Sequence, residues 1–490
     1  QQNTNLLSQL KPNVVFVGLN ISMDISDEKP FRNFHPKGTR ARYAQDYKTR
    51  FALKDTELWG GYMTDIIKDH VGMNAQEVMN YLNANPNVEE KNIETFRKEL
   101  KDLGMENPTI IAFGIDAHSV LTRNLNNEFN IFQVTHYSYQ GLTKEDFRKL
   151  VKTAHENDIY VILDWVPNHT GWDHVWIKNH PEFYTKNAKG EITDPLNEDG
   201  EPVGWADVAD LDYSNENLRN EMISDMKYWL SEEGVDGFRC DVAGSVPLDF
   251  WEQAIPQLRD TKDVFMLAEA WEPELLKANL FDMAYAWDGH HMMNAIASGE
   301  KDASAFKDYI SKVETDYEDN DILMNFVTNH DENSWNGTIK ERMGSNASAM
   351  TALSYTMPGM PLIYSGQEYD LDHRLKFFEK DSIPKTKANM WPLLEKLGQL
   401  KTENKALHGG KDAATISILE TSKPNAIIAF KREKAEDQLV YLANVSNNPI
   451  TFTVQLEGVY VDEMTGKEIT LAKDQEHTLK GNQYVIYTNK

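Results

Sequence analysis

Cysteine is nearly absent from this chain, which has a single one, Cys240, among 490 residues. One cysteine cannot form an internal disulfide, so a fold held by disulfides is excluded. Long apolar runs are also missing, since no stretch reaches about 18 residues, and the sequence predicts no membrane-spanning helix. With 40% hydrophobic and 26% charged residues, the composition excludes a collagen, a coiled-coil rod and a mostly disordered chain.

Basic residues are scarce relative to acidic ones. The chain has 50 Lys and Arg against 77 Asp and Glu, a formal net charge of −27. Such an acidic chain argues against nucleic acid as the main ligand and suits a neutral polar substrate. The charge is uneven, because residues 1–140 contain 15 basic and 17 acidic residues whereas the other 350 contain 35 and 60. This step predicts two parts of different origin.

The part after residue 140 alternates between helical periodicity and short apolar runs. Helices are predicted over 143–157, 217–231 and 247–259, each followed by a strand. Such alternation indicates a parallel sheet, and six strands over about 260 residues favour a (β/α)8-type barrel over residues 141–404. The six predicted strands are Ile159–Val166, Val235–Arg239, Val264–Ala268, Phe281–Tyr285, Met324–Thr328 and Pro361–Tyr364.

The two ends of the chain follow other patterns. Over residues 405–490, short alternating strands with polar turns predict a C-terminal antiparallel β domain of the sandwich type. Residues 1–140 predict a separate α/β region, with buried strands at Val14–Gly18 and Thr109–Gly114 and a helix around 93–103. The fold class is therefore α/β, with three successive domains.

Acidic residues stand at the carboxyl ends of four predicted strands, where side chains of a parallel barrel converge. One such acid commonly caps the next helix, but four of them beside two histidines and an arginine are hard to explain as caps. The acids are Asp164, Asp241, Glu269 and Asp331, and the accompanying residues are His169, Arg239 and His330. A metal centre stays open as an alternative, although no H-E-x-x-H or C-x-x-C spacing is present. Paired carboxylates without a metal suit glycosidic bond cleavage.

Neighbouring residues predict different states for two of these acids. Arg239 lies two residues before Asp241 on the same side of its strand, so its positive charge should keep Asp241 ionised. Glu269 follows an apolar run, and partial desolvation with nearby anions should raise its pKa, as a general acid requires. Cys240 points away from the acids and is predicted to be a core residue.

Residues 141–490 resemble the α-amylase family, glycoside hydrolase family 13. The resemblance rests on segments that occur in the family's order: D-W-V-P-N-H at 164–169, V-A-D-L-D at 208–212, G-F-R-C-D-V-A at 237–243, A-E-A-W at 268–271, N-H-D-E-N at 329–333 and Y-S-G-Q-E at 364–368. It implies a retaining glycosidase acting on α-glucans such as starch or maltooligosaccharides, without an organic cofactor.

The resemblance also implies roles for individual residues. Asp241 would be the nucleophile, Glu269 the acid/base and Asp331 the transition-state stabiliser. The residues that bind or support the sugar site would be His169, Arg239, His330 and Asp164.

Two further features come with the family pattern. Asn168 would ligate a structural calcium ion. Residues 170–212 would form a small inserted domain, and its tryptophans would either stack on sugar rings or form the insert's own core. These tryptophans are Trp172, Trp176 and Trp205.

The chain departs from the family pattern at its front. The family's first two barrel strands are absent before Gly141, and a six-strand remnant would have two unpaired edges. Residues 1–140 instead resemble a uracil-DNA-glycosylase-like domain, through V-F-V-G-L-N-I-S at 15–22, F-R-N-F-H at 31–35, W-G-G-Y-M-T-D at 59–65, T-I-I-A-F-G at 109–114 and T-H-Y-S at 135–138. By this match Asn20 would position a water and His136 would contact DNA, although the Gly18–Asn20 segment is equally explained as a turn.

Three interpretations stay open. In the first, a glycosylase-like module is joined to a shortened amylase, and the module alone could be functional. In the second, strands from 13–18 and 109–114 or 130–135 complete the barrel. In the third, the barrel remnant is a non-catalytic carbohydrate-binding body. The amylase-like part favours a secreted or periplasmic location and the front part a cytoplasmic one, which leaves the compartment open.

Overall fold

The computed structural model describes residues 11–21, 53, 58, 60–72, 75–134, 144–197, 199–378, 381–386 and 389–489. The chain divides into two compact units, residues 1–143 and residues 144–490. Among the described residues, no helix has the length and apolarity needed to cross a bilayer.

The first unit contains a parallel sheet of four strands in the order β2-β1-β3-β4. Its strands are β1 (Lys11–Ile21), β2 (Gly61–Val71), β3 (Thr109–Phe113) and β4 (Ile131–Val134), and its helices are α1 (Ala75–Ala84), α2 (Pro86–Asp102) and α3 (Ile115–Leu125). The predicted strands at 14–18 and 109–114 are confirmed. Gly114 follows β3 with a φ of +88°, a conformation open to glycine, and α3 begins at the next residue.

Strand β2 is a feature that the sequence does not predict. Its buried centre, Thr64–Ile67, includes the carboxylate of Asp65, so neither an apolar run nor a regular alternation marks it as a strand. The T-H-Y-S segment with His136, and F-R-N-F-H at 31–35, lie outside the described residues.

The second unit is built on a parallel sheet of six strands in the order β5-β8-β9-β10-β11-β12. Its strands, with a small additional pair, are β5 (Ile162–Trp165), β6 (His169–Gly171), β7 (Val208–Asp210), β8 (Gly237–Cys240), β9 (Phe265–Ala268), β10 (Met283–Tyr285), β11 (Leu323–Asn325) and β12 (Met360–Pro361). Each of the six predicted strands overlaps one of the sheet's strands, which confirms the parallel α/β core.

Helices lie between these strands along the chain, as the alternation predicts. They are α4 (Lys144–His155), α5 (Val175–Asn179), α6 (Glu216–Ser231), α7 (Leu248–Thr261), α8 (Trp287–Ser298), α9 (Ser304–Asp316), α10 (Ile339–Met343), α11 (Ala347–Thr356) and α12 (Met390–Glu403). Phe250 and Trp251 of α7 are fully buried against Phe238 of β8 in one core. Val151 of α4 is buried in the same core, whereas the neighbouring Leu150 is exposed.

The six-stranded sheet is open within the described residues. Strands β5 and β12 stand at its two ends, and each has one neighbour in the sheet. Strands β1, β3 and β4 are hydrogen-bonded to one another in the sheet of the first unit. The sheet of the second unit therefore gains no strand from residues 11–21, 109–113 or 131–134.

Strands β6 and β7 form a small antiparallel pair near the two ends of the predicted insert, residues 170–212. Its tryptophans differ in exposure. The ring of Trp176 packs edge-on against the buried Phe183 at 5.4 Å between centroids, whereas Trp172 and Trp205 are 42% and 43% exposed. Sugar stacking by these residues stays a prediction.

The chain ends in the predicted antiparallel β domain. Its strands are β13 (Thr415–Ile418), β14 (Ile427–Lys434), β15 (Asp437–Asn444), β16 (Ile450–Thr453), β17 (Gly458–Asp462), β18 (Lys467–Leu471), β19 (Glu476–Leu479) and β20 (Tyr484–Asn489). Six of them form one sheet in the order β13-β14-β15-β20-β17-β18, and β16 pairs with β19.

Candidate active site

The register of the sheet brings functional side chains of neighbouring strands to one level. Asp164 of β5 lies directly opposite Arg239 of β8, and Arg239 lies opposite Leu267 of β9. Because side chains alternate along a strand, Arg239 and Asp241 share one side and Cys240 takes the other. Cys240 is fully buried in the core, as predicted.

Arg239 joins the acids of three adjacent strands. Its Nη1 atom lies 2.8 Å from Asp164 Oδ1 and 2.7 Å from Asp241 Oδ1, and its Nη2 atom lies 2.7 Å from Glu269 Oε1. The arginine is 7% exposed. Burial acts to lower its pKa, but the surrounding groups, with Tyr285 and Glu269 the strongest, raise it well above the ordinary value. The guanidinium is therefore a fixed cation among three carboxyl groups.

Glu269 is a carboxyl group of the site whose pKa is raised. Burial raises its pKa to about 7 against the lowering effect of Arg239, and the charge of Asp241 and a hydrogen bond with it act in the same direction as burial. Its Oε2 atom accepts a hydrogen bond from the backbone N–H of Val242 at 3.0 Å. Val242 has a φ of +43°, which is unfavourable for a β-branched residue and marks local strain beside the acids.

The predicted histidines lie near different acids. Burial lowers the pKa of His169, while the negative charges of Asp241 and Asp207 act to raise it. The His169 ring also meets the exposed Trp205 edge-on, at 5.9 Å between centroids. His330 Nε2 lies 3.5 Å from Asp331 Oδ2.

Asp331 stands apart from the arginine cluster in its contacts. It precedes a short π-helix, Glu332–Asn336, which follows β11, and its negative charge helps to raise the pKa of Tyr364 beyond β12. The three carboxyl groups on Arg239 are those of Asp164, Asp241 and Glu269, whereas the ion pair of Asp331 is with His330. The role of Asp331 stays a prediction.

Asn168, the predicted calcium ligand, has polar contacts with two nearby residues of the protein. Its amide nitrogen lies 3.4 Å from His169 Nδ1, and its backbone carbonyl accepts a hydrogen bond from Leu211. Across the part of the chain that the structure describes, no three His, Cys, Asp or Glu side chains converge as metal ligands. Calcium binding at Asn168 stays a prediction that only the family resemblance carries.

Tyr285 is a residue of the site that the sequence interpretation misses. It ends β10, and its hydroxyl accepts a hydrogen bond from Arg239 Nε at 3.0 Å. Burial raises the pKa of Tyr285 to about 12, so the hydroxyl remains neutral at physiological pH. The same strand-end criterion that selects the acids would have found it, because the predicted strand Phe281–Tyr285 ends at this residue.

In the first unit, the side chain of Asn20 bonds to the neighbouring strand. Its amide nitrogen donates to the carbonyl oxygens of Gly72 at 3.0 Å and His70 at 3.5 Å. These bonds give Asn20 a structural use at the end of β1 and β2. The glycosylase-like roles of Asn20 and His136 stay predictions.

A comparison with known families shows which family the chain belongs to. A sequence model of the alpha-amylase catalytic domain matches residues 129–199 and 202–402, more than half of the chain. The chain belongs to the alpha-amylase family. The match begins before residue 141, where the motifs place the start of the domain, and it includes β4. One strand of the first unit's sheet is therefore family sequence.

Known members of the alpha-amylase family are similar to this chain at low identity. Alpha-amylase MalA of Haloarcula japonica is 24% identical over 357 residues, which are 70% of this chain and 51% of that protein. Maltogenic alpha-amylase of Bacillus acidopullulyticus is 23% identical over 418 residues, 79% of this chain and 68% of that protein. The chain thus spans about half the length of the first of these relatives.

Solved structures of the same family support the fold. The maltogenic alpha-amylase AmyB of Thermotoga neapolitana superimposes with a TM-score of 0.63 at 25% identity, covering 81% of this chain and 94% of that one. An alpha-amylase of Lactobacillus plantarum gives a TM-score of 0.62 at 26% identity, covering 73% and 84%.

Proposed function

We propose that the second unit is a retaining glycosidase that hydrolyses α-glucans such as starch and maltooligosaccharides. Family membership supports this proposal, and one observation carries it. One buried arginine lies 2.7 Å from the carboxyl groups of both Asp241 and Glu269, and burial raises the pKa of Glu269 to about 7. A carboxyl group that still holds its proton in part of the molecules near pH 7, with a second carboxyl group on the same arginine, is suited to glycosidic cleavage.

The arrangement supports a two-step mechanism. Asp241 attacks the anomeric carbon while Glu269 gives its proton to the glycosidic oxygen, so that one C–O bond forms as the other breaks. Glu269, now ionised, then takes a proton from water, and this water displaces Asp241 from the sugar. Retaining enzymes hold their two carboxyl groups about 5–5.5 Å apart, and here both carboxyl groups lie 2.7 Å from nitrogens of one guanidinium.

The other residues have supporting parts in this proposal. Arg239 holds Asp241 in place through their 2.7 Å ion pair. His169 and His330 bind sugar hydroxyls, and Asp331 stabilises the positive charge that develops on the sugar in the transition state. No step uses a calcium ion.

The alternative function is carbohydrate binding without catalysis. Carbohydrate binding alone needs no carboxyl group that titrates near neutrality, whereas general acid catalysis does. The pKa of Glu269 therefore favours the enzyme.

Two substitutions test this function. We expect Asp241→Asn to abolish turnover of maltooligosaccharides while thermal unfolding stays unchanged, because the nucleophile is lost without a change in shape. We expect Glu269→Gln to lose far more activity on maltooligosaccharides than on an aryl maltoside whose leaving group needs little protonation.

Asp260→Asn is the matched control, because this aspartate is exposed on α7. It should retain wild-type rates. Near-full activity of Asp241→Asn, or an equal loss by Glu269→Gln on both substrates, would contradict the assigned roles. A wild-type protein that binds maltooligosaccharides without cleaving them would support the binding body instead.

A further inference from the structure

Three aromatic side chains form an exposed cluster in the second unit. Trp335, Phe377 and Phe378 are 55%, 49% and 73% exposed. Their rings are in mutual contact, at centroid distances of 5.0 Å, 4.9 Å and 6.2 Å. We call these three residues the aromatic patch. Single exposed apolar side chains are common, but a contiguous exposed group of large rings indicates a binding surface.

The aromatic patch is continuous with the loop of a proposed catalytic residue. Trp335 belongs to the π-helix Glu332–Asn336, whose first residue follows Asp331 directly. Such π-helical turns often occur at functional sites. The patch therefore lies on the segment that runs on from the carboxyl end of β11.

Hydrogen bonds of the buried Asn333 side chain hold the two halves of the patch together. Asn333, which is 2% exposed, donates from its side-chain nitrogen to the carbonyl of His373 at 3.2 Å. The Asn333 side-chain oxygen accepts from the backbone N–H of Leu375 at 2.9 Å. Asp381 accepts from the backbone N–H of Lys376 at 3.1 Å. The chain that carries Phe377 and Phe378 is thus fixed against the turn that carries Trp335, and little ordering is left for a ligand to impose.

We propose that the aromatic patch is an accessory subsite that stacks on glucosyl units of an α-glucan beyond those at the cleaved bond. This inference rests on the proposed function. The C–H faces of a glucosyl ring are apolar and match a large flat ring, while the sugar hydroxyls stay in water. The substrate class would accordingly be glucan chains longer than a short maltooligosaccharide.

The size of the patch argues for a sugar chain over a second protein molecule. A stable protein–protein interface uses roughly 20–30 residues on each side. Three rings continuous with a candidate active site fit a few sugar units much better.

Kinetics against chain length test this subsite. We expect Trp335→Ala to lower kcat/KM on maltoheptaose about tenfold, the effect of losing one ring's apolar contact, and to leave hydrolysis of maltotriose close to wild type. Phe377→Ala with Phe378→Ala should act in the same direction from the other side of the patch. Trp335→Phe, which keeps a ring, should recover most of the loss.

Tyr160→Ala is the matched control, since Tyr160 is an 83% exposed ring that precedes β5 at the opposite edge of the sheet. It should change neither rate. An equal loss on both substrates would show that Trp335 acts on the catalytic loop and would overturn the subsite. Unchanged kinetics on maltoheptaose would overturn it too, as would self-association by sedimentation that Trp335→Ala abolishes while rates stay unchanged.

Calorimetric binding of maltoheptaose separates this inference from the proposed function. A protein that cleaves no glucan, but binds maltoheptaose through Trp335 and not through Tyr160, would refute the hydrolase and support the subsite. A protein that neither cleaves nor binds would refute both.

Discussion

Two carboxyl groups held by one arginine acquire different properties because their surroundings differ. Both Asp241 and Glu269 are paired with Arg239, yet the Glu269 side chain is more buried and its pKa is raised to about 7. Removing Arg239 would leave two buried carboxyl groups without a counter-charge, which is costly. Arg239 therefore stabilises the site by balancing the charge of the acids, and it also fixes the positions of Asp241 and Glu269.

The pKa of Glu269 predicts the pH dependence of the reaction. The general acid acts in its protonated form, whose fraction falls about tenfold per pH unit above the pKa. We therefore expect kcat/KM on maltooligosaccharides to decline above about pH 7. A series of rates from pH 5 to 9 measures this limb, and an activated aryl maltoside should show a weaker decline. A flat profile up to pH 9 on both substrates would contradict the acid role of Glu269.

Lys401 predicts a pH dependence of stability. Its Nζ atom donates to the carbonyls of Gly359 and Leu407, both at 2.7 Å, and burial followed by the charge of Arg432 lowers its pKa to about 7. Between pH 7 and about 10.5 the unfolded chain holds this proton and the folded chain does not, so the free energy of unfolding should rise with pH. The rise should be on the order of 2–4 kcal/mol.

Urea unfolding of the wild type and of Lys401→Met, followed from pH 7 to 10, measures the contribution of Lys401 to the free energy of unfolding. The substituted protein should lack the rise. Parallel curves for the two proteins would show that Lys401 does not titrate in this range.

At the scale of elements, the π-helix Glu332–Asn336 connects the core to the candidate site. Glu332 Oε2 lies 3.0 Å from Nε2 of His290, and Glu332 Oε1 accepts a hydrogen bond from Asn336 at 2.9 Å. Burial acts to raise the pKa of Glu332, but these bonds and the charge of Arg342 lower it to about 2. An ionised, buried carboxylate therefore anchors the turn that begins beside Asp331.

We expect Glu332→Gln to lower kcat by roughly ten- to a hundredfold through misplacement of the Asp331 loop, with little change in KM. Glu341→Gln is the matched control, since Glu341 is half exposed and pairs with Arg374 at 2.9 Å. It should be neutral in the same assay. If both variants retain wild-type kcat, the buried carboxylate does not position the loop.

How far the sequence predicts these elements depends on the kind of signal each one gives. Strand β8 is predictable because it follows a predicted helix in the strand–helix alternation, and the parallel register then places Asp164 beside Arg239. Strand β2 is not, because Asp65 interrupts its buried centre. The sequence also does not show which partner a polar side chain will bond to. The side chain of Asn20 donates a hydrogen bond to the backbone carbonyl of Gly72, and no sequence pattern indicates this.

At the scale of the whole molecule, the chain consists of two units with separate cores. Phe96, fully buried in α2, belongs to the core of the first unit, and Phe250 belongs to that of the second. The family match nevertheless begins at residue 129, inside the first unit, and includes β4. We therefore ask whether the proposed activity of the second unit requires the first unit to be folded.

A pair of core substitutions answers it. Replacing a buried phenylalanine by alanine costs about 3–5 kcal/mol of stability, and the loss is confined to the body that contains it if the two bodies fold independently. We expect Phe96→Ala to leave the temperature at which glucan hydrolysis is lost unchanged, and Phe250→Ala to lower it. If Phe96→Ala lowers that temperature as much as Phe250→Ala does, the proposed activity of the second unit depends on the folding of the first unit. An unchanged temperature would favour a family domain that works with the six strands it has.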